Sequence, residues 1–107
     1  MKMAYISHPY TGNQEKNTWH AIDVYKKLTE RDQEVCYINP LDVFGNADEG
    51  ELGYCQILAF CMELLSRCDK IVLCPGWEES TGCRAEYAMA IKQGIEIDFY
   101  HEEEKVE

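Results

Sequence analysis

The chain has 107 residues and a formal net charge of −10, with 46% hydrophobic and 28% charged residues. That length suits one domain around one core, and the apolar share excludes extended disorder outside the tail. The negative charge opposes polyanions and anionic surfaces, so neither a nucleic acid polymer nor a membrane is an expected partner, whereas local backbone N–H groups can still hold a small phosphorylated ligand.

No segment approaches transmembrane length, and the apolar run Met3–Ser7 is cut by His8-Pro9 in a way no signal peptide is. A cytoplasmic chain is expected. The six cysteines (Cys36, Cys55, Cys61, Cys68, Cys74, Cys83) form no C-x-x-C pair, and His8, His20 and His101 are scattered. The thiols therefore read as buried and reduced, with no metal and no cofactor.

In chain order, Lys2–Ser7 reads as a strand ended by His-Pro, and Pro9–Asn13 as a turn-rich loop with Asn13 placed to cap a helix. Residues 15–31 carry Trp19, Ile22 and Tyr25 three apart, the spacing of an amphipathic helix facing inward on those side chains. Glu34–Asn39 is a second strand, ended by Pro40. Leu41–Gly53, with three glycines, reads as a long loop. Tyr54–Arg67 is a second helix, and Lys70–Cys74, a continuous apolar run, the buried strand of a parallel sheet. Ser80 or Thr81 caps a third helix that runs to Gln93 and stops at Gly94. Ile95–Tyr100 is a fourth strand.

Alternation of strands and helices implies an α/β domain over residues 1–101. It is a small Rossmann- or flavodoxin-like parallel sheet of about four strands with helices on both faces. Residues 102–107 form an acidic tail expected to fray. Ligands of such sheets bind beyond the carboxyl ends of the strands, where the loops 8–13, 40–53 and 75–82 meet.

The third loop and its helix hold most of the candidate chemistry. Ser80, Thr81 and Gly82 offer free N–H groups at a helix start, which favours an anion. Arg84 in the first turn is unfavourable beside the dipole unless an anion lies near, either a bound phosphate or Glu78 or Glu79. Glu86 sits among small apolar residues and is either solvated at an edge or held in a pocket as a nucleophile or base. Cys83, also in the first turn, is a second candidate nucleophile, although packing is the commoner role of such a thiol. Ser7 and His8 are adjacent, which does not suggest a base facing its nucleophile. G-x-G-x-x-G and P-loop patterns are absent.

Two stretches resemble a known superfamily. Tyr5-Ile6-Ser7-His8-Pro9-Tyr10-Thr11-Gly12 is similar to the Y-x-x-G-P opening of the nucleoside 2-deoxyribosyltransferases. The longer stretch from Cys68-Asp69-Lys70 through Pro75-Gly76-Trp77-Glu78 to Ser80-Thr81-Gly82 and Glu86 resembles the signature of the DUF4406 branch. The resemblance implies that Glu86 attacks the anomeric carbon of a nucleoside or nucleotide sugar, with Tyr5 orienting it. It implies that Ser80 and the neighbouring backbone amides hold a phosphate; Thr81, Gly82, Arg84, His8, Pro9, Gly12 and Trp77 are the further residues expected to bind substrate or phosphate. It also implies a homodimer or higher homo-oligomer. Two positions depart from the pattern: Cys61 replaces a usual aspartate, and His8 a usual glycine. His8 either supplies a proton to the leaving base, contacts phosphate, or only shapes the loop.

Overall fold

A computed structural model describes residues 1–44 and 49–102, and of residues 49–52 and 54 only the backbone. Four parallel strands, β1 (Lys2–Ser7), β2 (Val35–Ile38), β3 (Lys70–Leu73) and β4 (Glu96–Phe99), form one sheet in the order β2-β1-β3-β4. The register pairs Tyr5 with Ile38 on one side and with Ile71 on the other. Beyond the last ladder residues, Cys74 N donates to Ser7 O and Tyr100 N to Leu73 O, so the third and fourth predicted strands end one residue early by assignment alone.

Helix α1 (Gln14–Arg31) is capped by Asn13, whose side chain accepts from Lys16 N at 3.1 Å. It covers one face of the sheet, packing Val24, Tyr25 and Leu28 on Ala4, Ile6, Tyr37 and Val72. The expected inward face is turned. Trp19 is 65% exposed, and Ala21 and Val24 are the buried residues. Ala21, Val24, Tyr25 and Leu28 make a complete i, i+3, i+4, i+7 stripe, and the small Ala21 lets the helix come close to the strands.

The other face is covered by α3 (Glu49–Ser66) and α4 (Thr81–Gln93). Their Leu65 and Ala90 pack with Tyr5, Ile71 and Leu73. One helix cannot span four strands, and on the α1 side the outer part of the sheet is charged instead: Lys70 pairs with Asp98 at 3.0 Å and Lys2 with Glu96 at 3.1 Å.

The expected loop 41–53 is largely helical. Asn39 Oδ1 accepts from Leu41 N, and Pro40 takes the first position of the short α2 (Pro40–Phe44), where its missing N–H costs nothing. Helix α3 begins at Glu49, with a break at Gly53 (φ +76°), one residue before the expected start at Tyr54. Residues 45–48 of that loop, and 103–107 of the acidic tail, lie outside the described residues. Among the described residues no helix is long and apolar enough to cross a membrane. All six cysteines are free; Cys68, Cys74 and Cys83 are buried, but Cys36 and Cys55 are exposed, because they lie at a sheet edge and on the outer side of α3.

Candidate active site

The strand order reverses between β1 and β3, and a cavity opens at their carboxyl ends, the place where open α/β sheets bind ligands. Alternation along β1 sends Tyr5 and Ser7 to the same face, toward α4, and Ile6 to the opposite core. Both hydroxyls meet Glu86. Tyr5 Oη donates to Oε2, and Ser7 Oγ donates to Oε1 at 2.8 Å. Each carboxylate oxygen thus has its own donor. Glu86 is 6% exposed, and Tyr5 and Ser7 are fully buried.

Burial pushes the Glu86 carboxyl above the ordinary carboxylate range, and the bonds from Tyr5 and Ser7 draw it part of the way back. Burial, reinforced by the adjacent Glu86 carboxylate, holds the Tyr5 phenol well above its usual value, so Tyr5 stays a donor whenever Glu86 is ionised. Burial also raises the Cys61 thiol, with the Tyr5 hydroxyl opposing. The Cys83 thiol is raised likewise by burial, although the hydroxyls of Ser7 and Ser80 oppose it. At Cys83, which also lines the cavity, desolvation outweighs the lowering expected of a thiol in a first helical turn.

The cavity encloses about 250 Å³. Glu86, His8, Thr11, Thr18, Ser80 and Gly82 give it a polar side, and Pro40, Leu41, Phe44, Ile57 and Leu58 an apolar one. The apolar side exists because α2 lies against α3, with the Phe44 and Phe60 rings 5.8 Å apart. A slot with one apolar wall and a few convergent polar groups suits a small molecule with a flat apolar part. Among the described residues no lysine or arginine lines it. A second, polar depression shares Thr11 and Ser80 and adds Pro9, Asn17 and Glu79. There the first and third loops touch: Gly76 has φ +89°, and a Cβ on it would stand 3.4 Å from Pro9 Cγ.

A family model described as "Domain of unknown function (DUF4406)" matches residues 1–99. The chain belongs to the DUF4406 family. A search of curated proteins finds no match. The DUF4406 match contains all four strands and every cavity residue, and ends before Tyr100, His101 and Glu102.

Within this DUF4406 domain, Glu86, Tyr5, Ser80, Gly82 and His8 converge on the cavity, and Pro9 lines the neighbouring depression. Four other expected site residues stand outside both linings. Thr81 is exposed at the start of α4, and Gly12 shapes the first turn at φ +103°. Arg84 is exposed; it precedes Glu86 by two residues, about 200° around a helix, so it faces away when Glu86 faces in. Trp77 packs on the rings of Tyr87 and Phe99, with centroids 4.7 and 6.0 Å away. Ser80 Oγ caps α4 by accepting from Cys83 N at 3.2 Å. Both ring nitrogens of His8 are engaged, Nδ1 with Pro9 O and Nε2 with His20.

Sequence reasoning passed over Ser7 and the α2 wall. Their signals are present: Ser7 stands two residues after Tyr5 on one strand, and Asn39-Pro40 is a helix start.

Proposed function

We propose that this chain cleaves the base–sugar bond of a nucleoside or nucleoside 5′-monophosphate as an N-glycosidase or deoxyribosyltransferase, with Glu86 as nucleophile. The observation that carries the reading is the buried Glu86 carboxylate, held on both oxygens by Tyr5 and Ser7 at the floor of a half-apolar slot. The motif resemblance supports it independently.

In this mechanism the ionised carboxylate attacks the anomeric carbon, and the electron pair of the C–N bond leaves with the base, which takes a proton from water. The product is a glycosyl ester on Glu86, and water then hydrolyses it. Two-step displacement by a carboxylate suits an oxocarbenium-like transition state. Tyr5 and Ser7 fix the direction of attack and are released from strong donation as the carboxylate loses its charge in the ester. The apolar wall from α2 and α3 receives the base. A 5′-phosphate would lie toward Gly82 and the amino end of α4, where free N–H groups favour an anion. Hydrolysis is favoured over transfer, since nothing in the sequence specifies a second base. The resemblance further implies a homo-oligomer, which sedimentation would test.

The test is acid-quench mass spectrometry during turnover. The expected result is a sugar mass on the peptide containing Glu86; turnover with no adduct in wild type, and unchanged turnover in Glu86→Ala, would remove the assignment. Cys61 supports a second reading, a non-catalytic nucleotide-binding module, since its neutral thiol stands where relatives in the resemblance carry an aspartate. That reading predicts saturable nucleotide binding without base release.

A further inference from the structure

Three hydrogen bonds run in line beside the cavity. His8 Nδ1 meets Pro9 O at 2.7 Å, His8 Nε2 meets His20 Nδ1 at 2.6 Å, and His20 Nε2 meets a Glu102 carboxylate oxygen. The ends of this chain, a carbonyl and a carboxylate, only accept. Each of the three bonds needs one proton, and the two rings must supply all three. With two ring protons one bond is empty. With four, an N–H faces an N–H between the rings and that bond is lost. The complete chain therefore carries three ring protons and one positive charge, opposite the charge of Glu102.

We infer that His8, His20 and Glu102 form a proton-sharing chain that holds the first loop against the cavity, with His20 and Glu102 acting as positioning residues. His8 lines the cavity, and its contacts fix the Pro9 carbonyl and the loop that follows. Burial pushes the His8 ring toward its neutral form, and His20 is the ring that faces the Glu102 carboxylate. Among the described residues, the other charged or titratable groups facing the chain include Lys27, 3.8 Å from Glu102 and 3.0 Å from Asp23, the Tyr100 hydroxyl, 3.4 Å from Glu102, and the buried Cys74 thiol, which burial raises first and Glu102 raises further. The Arg31 guanidinium lies over the Tyr100 ring, 5.6 Å from its centroid. Glu102 lies three residues past the segment 1–99 that the family model matches. His8 has no free ring nitrogen while the chain is complete; it is a wall of the cavity whose position depends on proton number. The kinetic readout below rests on the glycosidase reading, whereas the proton count does not.

The experiment is nitrogen-15 NMR of the full chain labelled at histidine and at backbone amides, from pH 4 to 9, in wild type and in Glu102→Gln. In wild type near neutral pH, three of the four ring nitrogens of His8 and His20 are expected to be protonated. The Tyr10, Thr11 and Gly12 amide signals are expected to move when the fourth proton binds. In Glu102→Gln the three-proton state should end about one pH unit lower, the shift that loss of a nearby opposite charge produces. Independent titration of His8 and His20, or loop amides that ignore it, would overturn the inference. If base release is observed, its pH profile should move in Glu102→Gln with the NMR shift. Base release with an unmoved profile sinks the positioning role and leaves the glycosidase standing. No base release, with the three-proton state seen and the loop following it, upholds the chain and sinks the glycosidase.

Discussion

Ser7 and Glu86 lie 79 residues apart, and Ser7 Oγ donates to Glu86 Oε1 across 2.8 Å. The bond joins the carboxyl end of β1 to α4 and supplies one of two donors to a buried carboxylate. Ser7→Ala leaves Oε1 without its partner. The chain should lose about 1–3 kcal/mol of stability, the cost of stranding a buried polar group. The Glu86 carboxyl should also rise, because a bond that favours its charged form is gone, so the acid limb of the base-release profile should move to higher pH. Urea unfolding and a pH–rate profile check the two effects separately.

Glu86 should make the fold less stable at neutral pH than a neutral residue of the same shape. Its folded-state carboxyl is raised by burial above the unfolded value. Between those two values the folded chain binds the extra proton. The stability contributed by this group is thus full below the unfolded value and falls as pH rises through the folded one. Glu86→Gln should raise stability above that window by about 1 kcal/mol, the usual scale for relieving a functional site. The gain should vanish below about pH 4, the ordinary carboxylate value. Thermal unfolding at several pH values reads this directly.

Arg84 separates the helix-dipole expectation from the geometry. Its exposure and its position on the far side of α4 predict that Arg84→Ala changes nucleotide affinity by less than about twofold, as for an ordinary surface substitution. Gly82→Val, which puts a branched side chain on the lining of the cavity, should weaken affinity by about tenfold or more. Titration calorimetry with a nucleoside monophosphate compares them.

Trp77 has a structural role here. Its ring packs at a tilt against Tyr87 and Phe99, and each aromatic pair contributes about 0.5–1.5 kcal/mol beyond area burial. Trp77→Ala should cost about 2 kcal/mol of stability, while base release measured well below the unfolding temperature stays within a few-fold of wild type.

Much of the fold was legible because its signals are local. Asn13, Ser80 and Gly94 bound their helices as their side chains and backbone freedom require. The unbroken apolar run beginning at Lys70 marked the central strand, and strand–helix alternation gave the parallel sheet. The loop over 41–53 misled because its glycines outweighed the cap at Asn39-Pro40. Trp19 misled because its spacing fits a helix face, and only contact with the sheet decides which face turns inward. Glu86 was legible as a carboxylate among small residues, but the choice between edge and pocket depends on Tyr5 and Ser7, about eighty positions away in the chain. The meeting of His8 with His20 and Glu102 had no sequence signal, since it follows from where α1 and the end of the chain lie relative to β1.

The most direct measurement is incubation with a panel of ribo- and deoxyribonucleosides and their 5′-monophosphates, followed by chromatography for free base, with Glu86→Gln in parallel. The account predicts free base from wild type on at least one member and none from the variant, which keeps the fold. Base from both at the same rate, or nucleotide bound by wild type with no base released from any member, would contradict it.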